Sequence, residues 1–129
     1  MFKLIMLLKK RSDMTREQFI DYYDNHHVPF MHSMVPQGAA LHRRNYVVAS
    51  ASDAERGLTA QAEDGWDVIV EVLYENREVA EAAMKALADP ERSRRMKEDE
   101  SRFIQPGSIR RFVVEVHETS FRPMPQSGI

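Results

Sequence analysis

Trp66-Asp67-Val68-Ile69-Val70-Glu71-Val72-Leu73-Tyr74-Glu75 is the stretch on which the fold turns. Trp66, Val68, Val70, Val72 and Tyr74 alternate onto one face, Ile69 and Leu73 onto the other, as in a strand rich in β-branched and aromatic residues. Phe2–Lys9 repeats the pattern: Phe2, Leu4, Met6 and Leu8 share one face, Ile5 and Leu7 the other. Both strands are apolar on two sides, so both sides need cover.

Between them, Thr15-Arg16-Glu17-Gln18 fits a capping box, with the Thr hydroxyl and the Gln side chain each satisfying a backbone amide at a helix start. Phe19, Ile20, Tyr23, His27 and Phe30 follow at helical spacing. Pro29 is expected to kink this helix or end its regular part, and Pro36 and Gly38 to close the segment. Leu41–Ser50 reads as a strand, and the polar, Ala-rich Ser52–Gly65 as a long loop. After the deciding strand, Glu78–Ala88 is a helix stopping near Asp89-Pro90, and Glu91–Glu100 is a highly charged helical stretch. Gln105-Pro106-Gly107 turns the chain into a last strand, Ile109–Glu118. The expected organisation is one domain over residues 1–119 and an exposed Pro-rich tail over 120–129.

The element order, β-α-β-β-α-β, is that of an α+β ferredoxin-like fold, an antiparallel sheet with helices on one face. Its other face would expose apolar side chains of the first and third strands, so a second subunit packing sheet to sheet is expected. The partners expected are a second copy of the chain and a small apolar or aromatic molecule.

Composition narrows the function classes. The chain has 129 residues, 43% of them hydrophobic and 29% charged, with a formal net charge of −2. No excess of positive charge favours nucleic acid. The absence of cysteine excludes disulfides, thiolate metal sites and Cys nucleophiles, and suits a reducing cytoplasm. No apolar run approaches the ~20 residues of a membrane span. Near the start the charges follow the apolar run instead of preceding it, unlike a signal peptide. The five glycines are isolated, so no G-x-G-x-x-G or Walker loop cradles a nucleotide, and no cofactor is expected. No two histidines stand at the i, i+4 spacing of a helical metal pair, and no metal is expected either.

Tyr22-Tyr23-Asp24-Asn25-His26-His27-Val28-Pro29-Phe30, with its tyrosine pair and H-x-P tripeptide, resembles the EthD family. Asp99-Glu100-Ser101-Arg102-Phe103 is similar to that family's D-E-x-x-F segment, and Arg44-Asn45-Tyr46 to its second-strand pattern. The resemblance covers roughly Phe2 to Glu118 and implies a dimeric α+β barrel. That superfamily includes isomerases, polyketide cyclases, cofactor-free monooxygenases and haem-handling proteins, so it implies a fold more closely than a reaction.

His27 is the first candidate for chemistry. Apolar surroundings keep an imidazole neutral near pH 7, and a neutral imidazole accepts a proton. His26, about 100° round the helix, falls at the edge of that face. Asp99, from the D-E-x-x-F match, is expected to orient His27, fix its tautomer and stabilise its charged form. Tyr46 is expected to donate to a carbonyl or phenolate oxygen. Tyr23, Phe30, Met31, Trp66 and Phe103 are candidate walls of a substrate site. Glu71, in the middle of an apolar strand, is either a buried acid with a raised pKa or one end of a cross-strand ion pair to Arg43, Arg110 or Arg111. The expected activity is that of a cofactor-free lyase or isomerase working by proton transfer on a cyclic or aromatic oxygenated compound. A cofactor-free monooxygenase and a non-enzymatic binding or accessory protein are the alternatives.

Overall fold

In a computed structural model, residues 1–35, 38–49 and 65–124 are described. The expected Ser52–Gly65 loop lies almost wholly outside them, as does the end of the expected tail. The elements run β1 (Phe2–Leu8), α1 (Arg16–Tyr22), a π-helical turn (Tyr23–His27), α2 (Val28–Met34), β2 (Leu41–Tyr46), β3 (Val68–Tyr74), α3 (Arg77–Leu87), α4 (Pro90–Glu100) and β4 (Arg110–Val114). The four strands form one sheet in the order β2-β3-β1-β4 with every neighbour antiparallel, which is the ferredoxin-like topology.

The alternation of β3 sets the layers. Val68, Val70, Val72 and Tyr74 are buried beneath the helices and join Leu8, Phe19, Tyr23, Ala80, Ala83, Phe103 and Ile104 in one core. The strands are shorter than the sequence pattern suggests because their partners run out. β4 pairs with β1 from Leu7↔Arg110 only as far as Lys3↔Val114, where β1 is nearly finished. β2 ends at Tyr46, opposite the first residue of β3.

The helix caps follow the sequence. The Thr15 hydroxyl accepts from the Gln18 amide at 3.1 Å, and the Thr15 amide donates to Gln18 Oε1 at 2.9 Å. Asn76 caps α3 through the Val79 amide, and Asp89 caps α4 with Pro90 at its first position.

Pro29 does not end its helix. The helical path runs from α1 through the π-helical turn into α2, and Met34 is its last residue. The Val28 amide reaches back five residues to the Tyr23 carbonyl. Pro29 has no N–H to continue an ordinary ladder and its ring crowds the carbonyl four residues earlier, so a widened turn just before it is the accommodation. That turn carries His27.

On the sheet face away from the helices lie Ile5, Leu7, Ile69, Leu73, Leu41 and Phe112, interspersed with Lys3, Glu71, Arg43 and Asn45. Phe112, Leu41 and Ile69 are exposed there.

Candidate functional site

Two elements distant in sequence meet at His27. The π-helical turn presents its imidazole and the end of α4 presents Asp99, with His27 Nδ1 and Asp99 Oδ2 2.6 Å apart. Both residues are buried, at 5% and 6% exposure, so the contact is shielded from water. Tyr22 donates its hydroxyl to Asp99 Oδ1 at 2.6 Å, and Arg102 adds a longer bond to the same oxygen at 3.3 Å. Phe103 packs against the imidazole at 4.8 Å between ring centres, and Tyr23 meets it edge-on at 5.4 Å.

The electrostatics assign the protons. Burial pushes the His27 pKa below its ordinary value and outweighs the opposing pull of Asp99. Burial alone would raise the Asp99 pKa, but the hydrogen bonds from Tyr22, His27 and Arg102 prevail and hold it below the usual carboxylate range. The pair is therefore a neutral imidazole donating Nδ1–H to a carboxylate. This leaves the Nε2 lone pair without a hydrogen-bond partner among the described residues.

His27 also forms part of the wall of a cavity of about 310 Å³ between the helices and the sheet. Leu4 and Met6 of β1, Val72 and Tyr74 of β3, and Ala83 and Leu87 of α3 make most of it apolar. Its polar side chains are His27, His32, His42, Glu100 and Arg111, with Tyr74 adding a phenol hydroxyl to an otherwise apolar ring. A mainly apolar cavity of this size with a few convergent polar groups suits a small organic molecule.

The other sequence candidates divide. Met31 lines the cavity beside His27. Tyr23 and Phe103 are core residues that support His27 from behind. His26 is exposed and stacks on Tyr22 at 5.1 Å. Phe30 lies on the outer side of Asp99, in a shallow depression with Arg94, Arg95 and Arg102. Trp66 lies under the Lys9 ammonium, 5.0 Å from the ring centre, away from the cavity. Tyr46 does not reach the cavity wall, because Asp24 takes its hydroxyl at 2.7 Å and Arg44 binds the same carboxylate oxygen at 2.8 Å. Glu71 is on the opposite sheet face, paired with Lys3 at 2.6 Å and Arg43 at 3.3 Å. Hydrogen bonds, that from Lys3 above all, hold its pKa down at about 2, so the cross-strand ion pair is the reading that stands and the raised pKa does not occur.

His42, Glu100 and Arg111 are cavity residues that the sequence reading did not single out. The strand alternation held a signal for His42, since His42, Arg44 and Tyr46 share one face of β2. His42 Nε2 lies 3.0 Å from the Tyr23 hydroxyl, while its Nδ1 is buried with no hydrogen-bond partner among the described residues. Burial first, then the Arg44 charge, pushes its pKa down to about 4, so this ring is neutral as well. Among the described residues no three His, Asp or Glu side chains converge as a metal site.

A ferredoxin-like α+β domain with a buried His–Asp pair opening on an apolar cavity is the class that the fold and site define. The EthD domain matches residues 11–107, well over half of the chain, and the protein belongs to the EthD family. Solved structures agree in fold. An EthD family protein from Bacillus halodurans C-125 is 20% identical, with 91% of this chain and 100% of that one covered and a TM-score of 0.57. An EthD-like protein from Ralstonia eutropha JMP134 is 16% identical, covering 92% and 96%, with a TM-score of 0.55. HapK from Hahella chejuensis is 10% identical, covering 96% and 100%, with a TM-score of 0.59. No curated protein sequence matches the chain significantly.

Proposed function

We propose that this EthD protein is a cofactor-independent lyase or isomerase that works by proton transfer on an apolar cyclic or aromatic oxygenated molecule bound in the cavity. The observation that carries the reading is the 2.6 Å contact between His27 Nδ1 and Asp99 in a buried, water-shielded position. Nε2 is the proton acceptor, and Asp99 is a positioning residue that fixes the tautomer and stabilises the imidazolium formed during the reaction. The apolar walls supply binding and keep water from competing for the base. Tyr46 has no part in this mechanism, since its hydroxyl is held by Asp24.

Ligand-detected NMR against aromatic acids, phenols and cyclic ketones tests the reading on wild type and His27→Ala in parallel. Saturable binding is expected, with turnover of the hits falling about 10²- to 10⁴-fold in the variant. A folded His27→Ala protein that keeps full turnover contradicts it. Oxygen uptake during turnover would assign the chain to the monooxygenases instead, and binding without turnover to the accessory proteins.

The protein is further proposed to be a homodimer joined through the open sheet face. Leu41, Ile69 and Phe112 are exposed there beside charges already paired within the chain, a surface better suited to a matching sheet than to water. Sedimentation reading a monomer mass at all concentrations would overturn it.

A further inference from the structure

The chain has four tyrosines, and three of their hydroxyls are held inside the fold: Tyr22 on Asp99, Tyr23 on His42 and Tyr46 on Asp24. Tyr74, the last residue of β3, is the exception. Its ring rests edge-on against Phe2, 6.2 Å between centres, and stands in the cavity wall with Leu4, Val72, Ala83 and Leu87. The residue is 8% exposed. Its hydroxyl has no hydrogen-bond partner among the described residues, and it is not sealed off as His42 Nδ1 is. The cavity that the ring lines is therefore the space open to it. Burial pushes its pKa above the ordinary phenol value, so at pH 7 the group is a neutral O–H. A buried phenol ordinarily finds a partner, because an unmet hydroxyl costs free energy that a phenylalanine in the same place would not. The partner of this hydroxyl has to enter through the cavity.

We propose that Tyr74 is the hydrogen-bond donor that holds the oxygen of the bound molecule, and that the molecules taken are cyclic ketones. The inference rests on the proton-transfer reading above and states which carbon faces the base. With the ketone oxygen on Tyr74, the C–H beside the carbonyl is the one that His27 Nε2 takes. The electron pair of that bond forms a C=C bond, and the pair of the C=O π bond moves onto the oxygen. The Tyr74 O–H meets the charge that develops there, and its bond strengthens as the charge grows. Return of the proton from the imidazolium to carbon restores His27. No oxidant or reductant is required. Tyr74 thus takes the part that the sequence reading gave to Tyr46.

Titration of wild type and Tyr74→Phe with 1-indanone and indane, which share a ring system and differ in the carbonyl, tests this. In the variant, 1-indanone is expected to bind about 3- to 10-fold more weakly, the usual contribution of one hydrogen bond, while indane binds about as in wild type or tighter. The carbonyl stretch of carbon-13-labelled 1-indanone should fall in frequency on binding wild type and keep its apolar-solvent position in the variant. The urea midpoint of Tyr74→Phe should equal or exceed that of wild type, since no bond inside the protein is broken. A lower midpoint would show the hydroxyl held structurally and overturn the role of Tyr74. Equal effects on the two ligands, or no effect on either, would overturn it as well and leave the His27 reading intact. Exchange of the C2 hydrogens of 1-indanone into D2O is expected in wild type and lost in His27→Gln. Binding through Tyr74 without that His27-dependent exchange would overturn the proton-transfer reading and leave Tyr74 as the oxygen donor. A wild type that binds neither ligand would overturn both.

Discussion

Asp99→Asn keeps the shape of the buried carboxyl and removes its charge. In the native protein this group accepts two short hydrogen bonds, from His27 Nδ1 and from the Tyr22 hydroxyl, both at 2.6 Å. Its side chain is 8% exposed, so solvent screens these bonds little. Hydrogen bonds to charged groups contribute roughly 1.5–3 kcal/mol and neutral ones roughly 0.5–1.5, so two such exchanges cost about 2 kcal/mol. The relief of burying no charge offsets part of this. The Arg102 bond is longer and its donor half exposed, so nothing is added for it. The expected loss is therefore about 1–2 kcal/mol at pH 7, which at a urea slope of about 1–3 kcal/mol/M lowers the midpoint by up to about 1–2 M.

The pH dependence supplies the sharper check. A carboxylate whose folded pKa is depressed contributes stability above its unfolded pKa, near ~3.9, and that contribution is lost as pH falls through the lower folded value. Wild type and Asp99→Asn should therefore differ at pH 7 and converge as the pH falls below about 4. Urea unfolding of both proteins across pH 3 to 7, followed by circular dichroism, measures it. Equal stability at pH 7, or a difference that persists undiminished into acid, would refute an ionised Asp99 holding His27.

Three further outcomes are expected. Thr15→Ala removes the hydroxyl that caps α1 and should cost about 1 kcal/mol in urea unfolding, with the fold unchanged. Glu71→Gln should flatten the acid side of the stability curve between about pH 4.5 and 2, because the wild-type carboxylate, its pKa held at about 2, loses its contribution only as pH falls through that range. Phe112→Asp places a charge in the exposed apolar face of the sheet, and should yield a folded monomer in sedimentation, whereas the wild type is expected to sediment as the proposed dimer.

The sequence disclosed much of this architecture because strands and helix caps are written locally. The alternation of Val68, Val70 and Val72 named the buried face of β3, and Thr15 with Gln18 named the start of α1 before any tertiary contact was known. The lengths of β2 and β4 were not legible in this way, because a strand ends where its neighbour ends. Pro29 was legible as a disturbance but not as to its kind, since the chain widens one turn in place of stopping. At the site, no spacing rule links His27 to Asp99 across 72 residues, and only the two family-like motifs brought them together in advance. Strand parity puts Tyr46 and His42 on one face of β2 without saying which face meets the cleft, and His42 is the one in the cavity wall. Asp24 and Arg44, which hold the Tyr46 hydroxyl, come together only in the folded chain. Glu71 lay in the most apolar of strands and still found cations, because Lys3 and Arg43 stand on either side of it across the sheet.

Nitrogen-15 NMR of the His27 ring, followed through a pH titration of the wild type, tests the central claim most directly. The account predicts a neutral ring at pH 7 with its proton on Nδ1 and a bare Nε2, becoming charged only below the ordinary histidine pKa of ~6.5. A proton on Nε2, or an imidazolium at pH 7, would contradict it, because the cavity would then face no base.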